Sequence, residues 1–243
     1  MKLQQLIFLL LAAGQALCYL FLLSLGNLRN NIVLCEAGFF AAFILYGASL
    51  VLLKINRAED GPAAGDSTPD TTAASSRGRT FYVAGILLFA CCFRLILWLS
   101  PPSISNDIYR YVWEGKILNA GINPFSRAPA DPLLEKFRDH EIYPEINHKD
   151  YTTIYPPVSL ALFSLGARLS STTRAMSMVF LAFDLLTILV LIATVRLLSI
   201  DMNRIAIYAW NPLIIMEFAG SGHLDSAGIF FCWGPCICLL TSG

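Results

Sequence analysis

Long apolar runs recur along the chain and predict helices that cross a membrane. A bilayer core needs about 20 apolar residues per helix. The runs that reach or approach this length are Leu3–Leu25, Ile32–Leu53, Phe81–Leu99, Tyr155–Leu169, Met176–Leu198, Ile205–Ala219 and Ala227–Leu240. Because the fourth, sixth and seventh runs are short, they either span with little tilt or form broken helices enclosed by protein. The pattern predicts an all-α, polytopic bundle of transmembrane helices.

Polar stretches divide this predicted bundle into parts. Residues 1–53 form an N-terminal transmembrane hairpin, and 54–80, rich in Gly, Pro, Ser, Thr and Ala, is typical of a flexible linker. Residues 81–243 form the remaining transmembrane core, which contains a long polar loop at 100–154. The positive-inside rule places the linker in the cytoplasm and the loop outside, because basic residues flank the linker at Lys54, Arg57, Arg77 and Arg79.

The composition agrees with lipid as the solvent and excludes several classes of function. Charged residues make up 14% of the chain, whereas soluble domains carry about 25%. The net charge of zero does not indicate nucleic acid as a partner. The sequence has neither a glycine-rich phosphate loop nor a dinucleotide fingerprint. We expect no cofactor, because the seven cysteines and the loop histidines His140 and His148 lack the spacing of metal ligands.

A helix is predicted at the start of the polar loop, from about Asp107 to a stop at Gly121. Its apolar and aromatic side chains share one face, which indicates an amphipathic helix lying in the membrane interface. Asp107 has two compatible interpretations. It can cap the helix, as can Ser105 and Asn106. Facing the positive end of the helix dipole, its carboxylate can also act as a general base toward an acceptor hydroxyl.

Charged residues inside apolar runs are candidates for function because they are costly in lipid. Arg94 lies near the outer end of the third run. It either extends to the interface or holds a lipid phosphate, which a guanidinium does well. Asp184 and Glu217 lie within the fifth and sixth runs, where they either pair with an arginine or line a polar cavity.

A glycine-flanked His223-Leu224-Asp225 follows the sixth run, which Asn211-Pro212 interrupts. In one interpretation it is an exposed turn in which Asp225 caps the next helix. In the other it contacts a sugar or phosphate, because glycine lets the backbone approach a ligand closely.

Several of these segments resemble bacterial GT-C superfamily glycosyltransferases, most closely the polyprenol-phosphomannose-dependent mannosyltransferase-like branch. The matching segments are Ser105–Gly115, Ala120–Phe125, Tyr155–Pro157 and Gly222–Asp225, and the resemblance covers about residues 81–231. It implies a multi-pass, GT-C-like enzyme of the bacterial cytoplasmic membrane. The catalytic acid of such an enzyme lies in the first large extracytoplasmic loop, and Asp107 matches it.

The resemblance also implies a reaction. A mannose-like hexose would pass from polyprenyl phosphate to a glycan or lipid acceptor outside the cytoplasm, with inversion and with Asp107 as general base. Asn106 occupies a position where many relatives have a second acid, so a metal site held by two carboxylates is not expected. The residues expected to bind substrate are Asn106, Tyr109, Arg110, Trp113, Arg94, Asn123, Tyr155, His223 and Asp225.

Two features leave alternatives open. The chain has fewer predicted spans than GT-C enzymes usually have and ends soon after Asp225, so we expect a C-terminally truncated chain. An inactive fragment of the glycosyltransferase is one alternative. Simple alternation of spans places His223 on the opposite side from Asp107, unless one short run does not cross. A transporter or flippase of lipid-linked sugars also fits short, broken helices and intramembrane charges, although no paired halves are visible.

Overall fold

The computed structural model describes residues 3–59 and 69–241, and these form helices without strands. The α-helices are α1 (Leu3–Ser24), α2 (Ile32–Glu59), α3 (Pro69–Trp98), α4 (Asp107–Asn119), α5 (Pro157–Leu169), α6 (Thr173–Leu197), α7 (Ala206–Ala209), α8 (Pro212–Ile215) and α9 (Asp225–Thr241). Short 3-10 helices cover Leu28–Asn31, Pro132–Phe137, Tyr143–Glu145 and Met202–Ile205, and a π-helical turn covers Met216–Gly220.

The predicted all-α membrane protein is confirmed. Within the described residues, four helical segments are long and apolar enough to cross a membrane: Leu3–Ser24, Leu28–Ile55, Gly78–Trp98 and Thr173–Leu197. They correspond to the first, second, third and fifth apolar runs. The fourth run forms α5, which has only 13 residues. Both ends of the predicted linker 54–80 are helical, because α2 continues to Glu59 and α3 begins at Pro69; residues 60–68 lie outside the described residues.

The chain divides into two compact units. Unit 1 comprises residues 1–99 and 188–215, and unit 2 comprises residues 100–187 and 216–243. Unit 1 therefore contains α1, α2, α3, α7 and α8, together with the last part of α6. Unit 2 contains the polar loop, α4, α5, the larger part of α6 and α9.

The core of unit 1 forms around Trp210, which is fully buried. The ring of Phe8 stacks on it with centroids 5.2 Å apart. The indole Nε1 of Trp210 donates a hydrogen bond to the carbonyl of Ile86 at 2.8 Å. Because Trp210 lies between α7 and α8, these contacts fix the chain where the helix is interrupted.

The sixth apolar run does not form one helix. Pro212 lacks an N–H and its ring clashes with the preceding turn, so α7 ends at Ala209 and α8 begins at Pro212. The carbonyls left unpaired by this break are satisfied by side chains: Gln15 donates to Trp210 at 2.8 Å, and Arg94 donates to Ala209 at 2.7 Å. Buried backbone groups need such partners.

The core of unit 2 forms where α4 packs on α5. A Cβ on Gly115 would lie 2.1 Å from the carbonyl oxygen of Phe163, so only glycine permits this contact. One turn away, the rings of Tyr111 and Phe163 stack with centroids 4.5 Å apart. The two helices therefore approach closely enough for backbone and ring contacts along α4.

The amphipathic pattern of α4 predicts that its polar side faces solvent, and this part of the prediction is wrong. Arg110 is 5% exposed and Glu114 is 1% exposed, so both faces of the helix are covered by protein. These side chains bind each other and the polar loop, and that loop covers them. The predicted stop is confirmed. Gly121 has a φ of +78°, and the amide of Ile122 bonds the carbonyl of Ile117 across the helix end, as in a Schellman motif.

Candidate active site

Asp107 occupies the first turn of α4, as the sequence predicts. The preceding Asn106 is the N-cap residue, and the Ser105 hydroxyl accepts a hydrogen bond from the amide of Asp107 at 3.2 Å. The side-chain amide of Asn147 donates to Oδ1 of Asp107 at 2.9 Å. The carboxylate is half-buried. It is thus oriented by one neighbour while it remains accessible to a substrate.

Arg110 holds the loop segment that carries Asn147. Its guanidinium forms an ion pair with Glu114 at 2.6 Å, and it donates to the carbonyls of His148 at 3.1 Å and Tyr151 at 2.7 Å. The Thr153 hydroxyl also donates to Glu114. Burial raises the pKa of Glu114, and its bonds to Thr153 and Arg110 oppose that shift. The predicted substrate contact Arg110 therefore has its donors on protein groups.

Two tyrosines lie close enough to Asp107 for its charge to act on their hydroxyls. The rings of Tyr111 and Tyr155 meet edge to face with centroids 5.2 Å apart. Burial, followed by the negative charge of Asp107, raises the pKa of Tyr155 to about 12. Burial also raises the pKa of Tyr111. Both phenols therefore stay protonated at neutral pH, where they serve as neutral hydrogen-bond donors and not as bases.

The glycine-flanked segment after the sixth run packs against the first turn of α4. Gly222 has a φ of +69°, and a Cβ there would lie 2.6 Å from Cδ1 of Ile108. This contact brings His223 close enough for the charges of Asp107 and Asp225 to act on it. Of the two possibilities that the sequence leaves open, the structure favours the one in which a short run does not cross. The fourth run accounts for it, because α5 has only 13 residues, fewer than the about 20 that a span needs.

His223 forms an ion pair with Glu217. Its Nδ1 lies 2.5 Å from Oε2 of Glu217, in the π-helical turn. This hydrogen bond is the main cause that raises the pKa of His223; burial lowers it, and the charges of Asp107 and Asp225 add smaller increases. The other ring nitrogen, Nε2, is buried without a hydrogen-bond partner among the described residues. Of the two ring nitrogens, only Nδ1 is therefore held by another side chain of the described residues.

Glu217 and Asn147 are site residues that the sequence analysis did not assign. The sequence pattern marks Glu217 only as a charge within an apolar run. Its position six residues before His223, across a glycine-rich turn, is the signal that could have predicted their ion pair. Asn147 had no signal, because it lies 40 residues beyond Asp107 in irregular loop.

The other predicted substrate-binding residues are more dispersed. Asp225 is exposed in the first turn of α9, and Tyr109 packs at the edge of the unit 2 core. Trp113 is 2% exposed and packs against Tyr143. Asn123 accepts a hydrogen bond from the amide of Phe125 within a turn.

Arg94 belongs to unit 1, is 1% exposed, and bonds backbone carbonyls there, so it does not extend to the interface.

We expect the ion pair of His223 and Glu217 to make stability depend on pH. Because the folded pKa of His223 is raised above its usual value, protonation stabilises the fold. That contribution is complete below about pH 6.5 and is lost as the pH rises through the folded pKa. The melting temperature should therefore fall over this window. Glu217→Gln should move the fall to lower pH, and His223→Gln should remove it.

The measurement is the melting temperature of the purified protein in detergent at a series of pH values. Asp225→Asn is the matched control, since Asp225 contributes the last of the causes that raise the pKa; its shift should be smaller than that of Glu217→Gln. Identical profiles for the unaltered protein and His223→Gln would refute the assignment.

The described residues combine spans long enough to cross a membrane with an acid and an imidazole close together in unit 2. Residues 37–238 match the MptA_B family, described as alpha-(1->6)-mannopyranosyltransferase, N-terminal domain. The match covers more than half of the chain, so the chain belongs to this mannosyltransferase family and is a glycosyltransferase. The resemblance noted in the sequence is thereby confirmed. No curated protein and no solved structure matches the chain.

Proposed function

We propose that this glycosyltransferase moves a mannose-like hexose from polyprenyl phosphate to a hydroxyl of a glycan or lipid acceptor, with inversion at the anomeric carbon. The observation that carries the proposal is the half-buried carboxylate of Asp107, oriented by Asn147 and placed close to His223. A base and a cation in one site meet the two needs of the reaction. The acceptor must lose a proton, and the departing phosphate must be stabilised.

Asp107 is the proposed general base. As the acceptor oxygen attacks the anomeric carbon, its proton passes to the carboxylate of Asp107. The bond from that carbon to the phosphate oxygen breaks, and polyprenyl phosphate leaves with the electron pair. The hydrogen bond from Asn147 to Oδ1 fixes the carboxylate, which matters because proton transfer requires heavy atoms within hydrogen-bond reach.

His223 is the proposed cation for the leaving phosphate. Glu217 holds Nδ1 and favours the protonated imidazole. The buried Nε2 then has a proton to donate, and it has no partner among the described residues. Charge-assisted hydrogen bonds to phosphate oxygens are strong, and a donor fixed in advance stabilises charge that develops in the transition state.

The remaining substrate contacts are assigned to polar side chains of unit 2, and the two arginines predicted to bind substrate are left out. Asn106, Tyr109, Tyr155 and Asp225 belong to unit 2 and are proposed to bind the sugar or the acceptor. Arg94 and Arg110 take no part in this scheme, because their guanidinium groups bond backbone carbonyls. The scheme uses no cofactor. We propose that the protein lies in the bacterial cytoplasmic membrane with loop 100–154 outside. A sugar donor that is linked to a membrane lipid suits a site on that side.

The donor class can be tested with the purified chain in proteoliposomes. We expect radiolabelled mannose to pass from polyprenyl phosphomannose to an added mannoside acceptor, and no transfer from GDP-mannose. Transfer from GDP-mannose alone would refute the proposed donor. Movement of the lipid-linked sugar across the bilayer without a new glycosidic bond would instead support the transporter alternative and refute the proposal.

A further inference from the structure

A cavity with two arginines lies in unit 1, apart from the residues of the candidate active site. Its volume is about 400 Å³, and its lining combines basic, hydroxyl and apolar side chains: Arg79, Thr80, Val83, Ala84, Leu87, Arg196 and Met202. Arg79 lies at the beginning of the span Gly78–Trp98, and Arg196 lies in the last turn of the span Thr173–Leu197. The cavity therefore opens where two spans reach the same membrane surface.

The charge of this cavity is unbalanced. No acidic residue is among its lining residues, and neither arginine forms an ion pair within the described part of the chain. A neighbouring cavity of about 300 Å³ is lined by Lys54 and Arg204 but also by the carboxylate of Asp201. Basic residues at span ends are common, but they do not by themselves form a cavity with an apolar wall. Two unpaired guanidinium groups in one cavity favour an anion, and phosphate oxygens match their geometry.

The apolar wall continues from the arginines along α3. Arg79, Val83 and Leu87 repeat at every fourth residue and so share one face of the helix. This stripe extends about 12 Å from Arg79 toward the middle of the span. Val83 and Leu87 are half-buried and Ala84 is exposed, so a hydrocarbon chain has access to the stripe.

We propose that this cavity binds a lipid whose head is a phosphate ester, with the phosphate between Arg79 and Arg196 and the first part of its chain along Val83, Ala84 and Leu87. The chemistry is common to polyprenyl phosphate and to anionic glycerophospholipids. The site consists of unit 1 residues alone, whereas Asp107 belongs to unit 2. It is therefore separate from the proposed transfer reaction and does not depend on it.

Binding can be measured on the purified full chain in a neutral detergent, by microscale thermophoresis with three probes. These are geranyl phosphate, dioctanoyl phosphatidylglycerol and inorganic phosphate. We expect saturable binding of at least one lipid probe, and weaker binding of inorganic phosphate by about tenfold or more, because phosphate lacks the apolar chain. The stronger of the two lipid probes identifies the source of the ligand. Equal binding of phosphate and both lipids would refute a lipid site.

The variants separate a defined site from general attraction by positive charge. Arg79→Gln with Arg196→Gln should weaken lipid binding about tenfold or more. The matched control, Lys54→Gln with Arg204→Gln, removes the same charge from the neighbouring cavity and should change binding less than about twofold. Ala84→Trp fills the cavity at an exposed position without changing charge, and it should also weaken binding. The proposal is overturned if both charge pairs weaken binding equally, if Ala84→Trp binds normally, or if neither lipid saturates.

Discussion

Asp107→Asn should reduce mannosyl transfer by about 10²- to 10⁴-fold, the usual contribution of a general base. Asparagine keeps the size of the side chain and one oxygen for the bond from Asn147, so the fold should be retained. What is lost is the group that accepts the proton of the attacking hydroxyl. The measurement is the initial rate of transfer from polyprenyl phosphomannose in proteoliposomes, with the melting temperature as a check on folding.

Asp150→Asn is the matched control for this prediction. Asp150 is an exposed acid of the same polar loop, and its replacement removes the same charge and should leave the rate almost unchanged. If Asp107→Asn retains the full rate, the carboxylate is only a helix-capping group. An equal loss in both variants would mean that the charge of the loop, and not Asp107 itself, supports transfer.

Arg110→Met should destabilise unit 2 by about 3–5 kcal/mol, because it leaves Glu114 as a buried charge without its partner. The change also frees the loop carbonyls of His148 and Tyr151, which Arg110 holds. For a chain of this size we expect the melting temperature to fall by about 10 °C. Transfer should fall as well, since the same loop segment carries Asn147 to Asp107.

Arg127→Met provides the comparison within the same loop. Arg127 and Asp131 form an ion pair of the same i,i+4 spacing, at 2.9 Å, but with side chains 39% and 24% exposed. An ion pair exposed to solvent contributes little to stability, so the melting temperature should change little. If both variants lowered it by the same amount, burial of the pair of Arg110 and Glu114 would not be the source of its effect.

The sequence predicted the parts of the fold that depend on local pattern. Spans of sufficient length, the helix that starts at Asp107, and its stop at Gly121 all follow from hydrophobic runs and from residues with distinct backbone preferences. These signals lie within a few residues of the feature they specify. For the same reason Asp107 could be placed at the head of a helix before any contact was known.

The arrangement around Asp107 depends on contacts between distant segments, which no local pattern contains. The polar side chains of α4 indicated a solvent-facing side, but Arg110 and Glu114 satisfy each other and the loop, so that side is buried. Asn147 and Glu217 reach their partners only after the loop folds and the sixth run breaks. Alternation of spans failed for His223 because it assumes that each apolar run crosses the membrane.

The absence of a side chain at Gly222 has a consequence for redesign. A Cβ at this position would lie 2.6 Å from Cδ1 of Ile108 and 3.0 Å from Cβ of Ser177, so the segment that carries His223 packs this closely only while Gly222 has no side chain. Any attempt to transplant the acid and the histidine into another helical scaffold must therefore include a glycine at the corresponding position, as well as the reactive groups. A search that scores positions by the chemistry of their side chains would overlook Gly222, although it lets the segment of the proposed phosphate ligand pack against Ile108, next to the proposed proton acceptor.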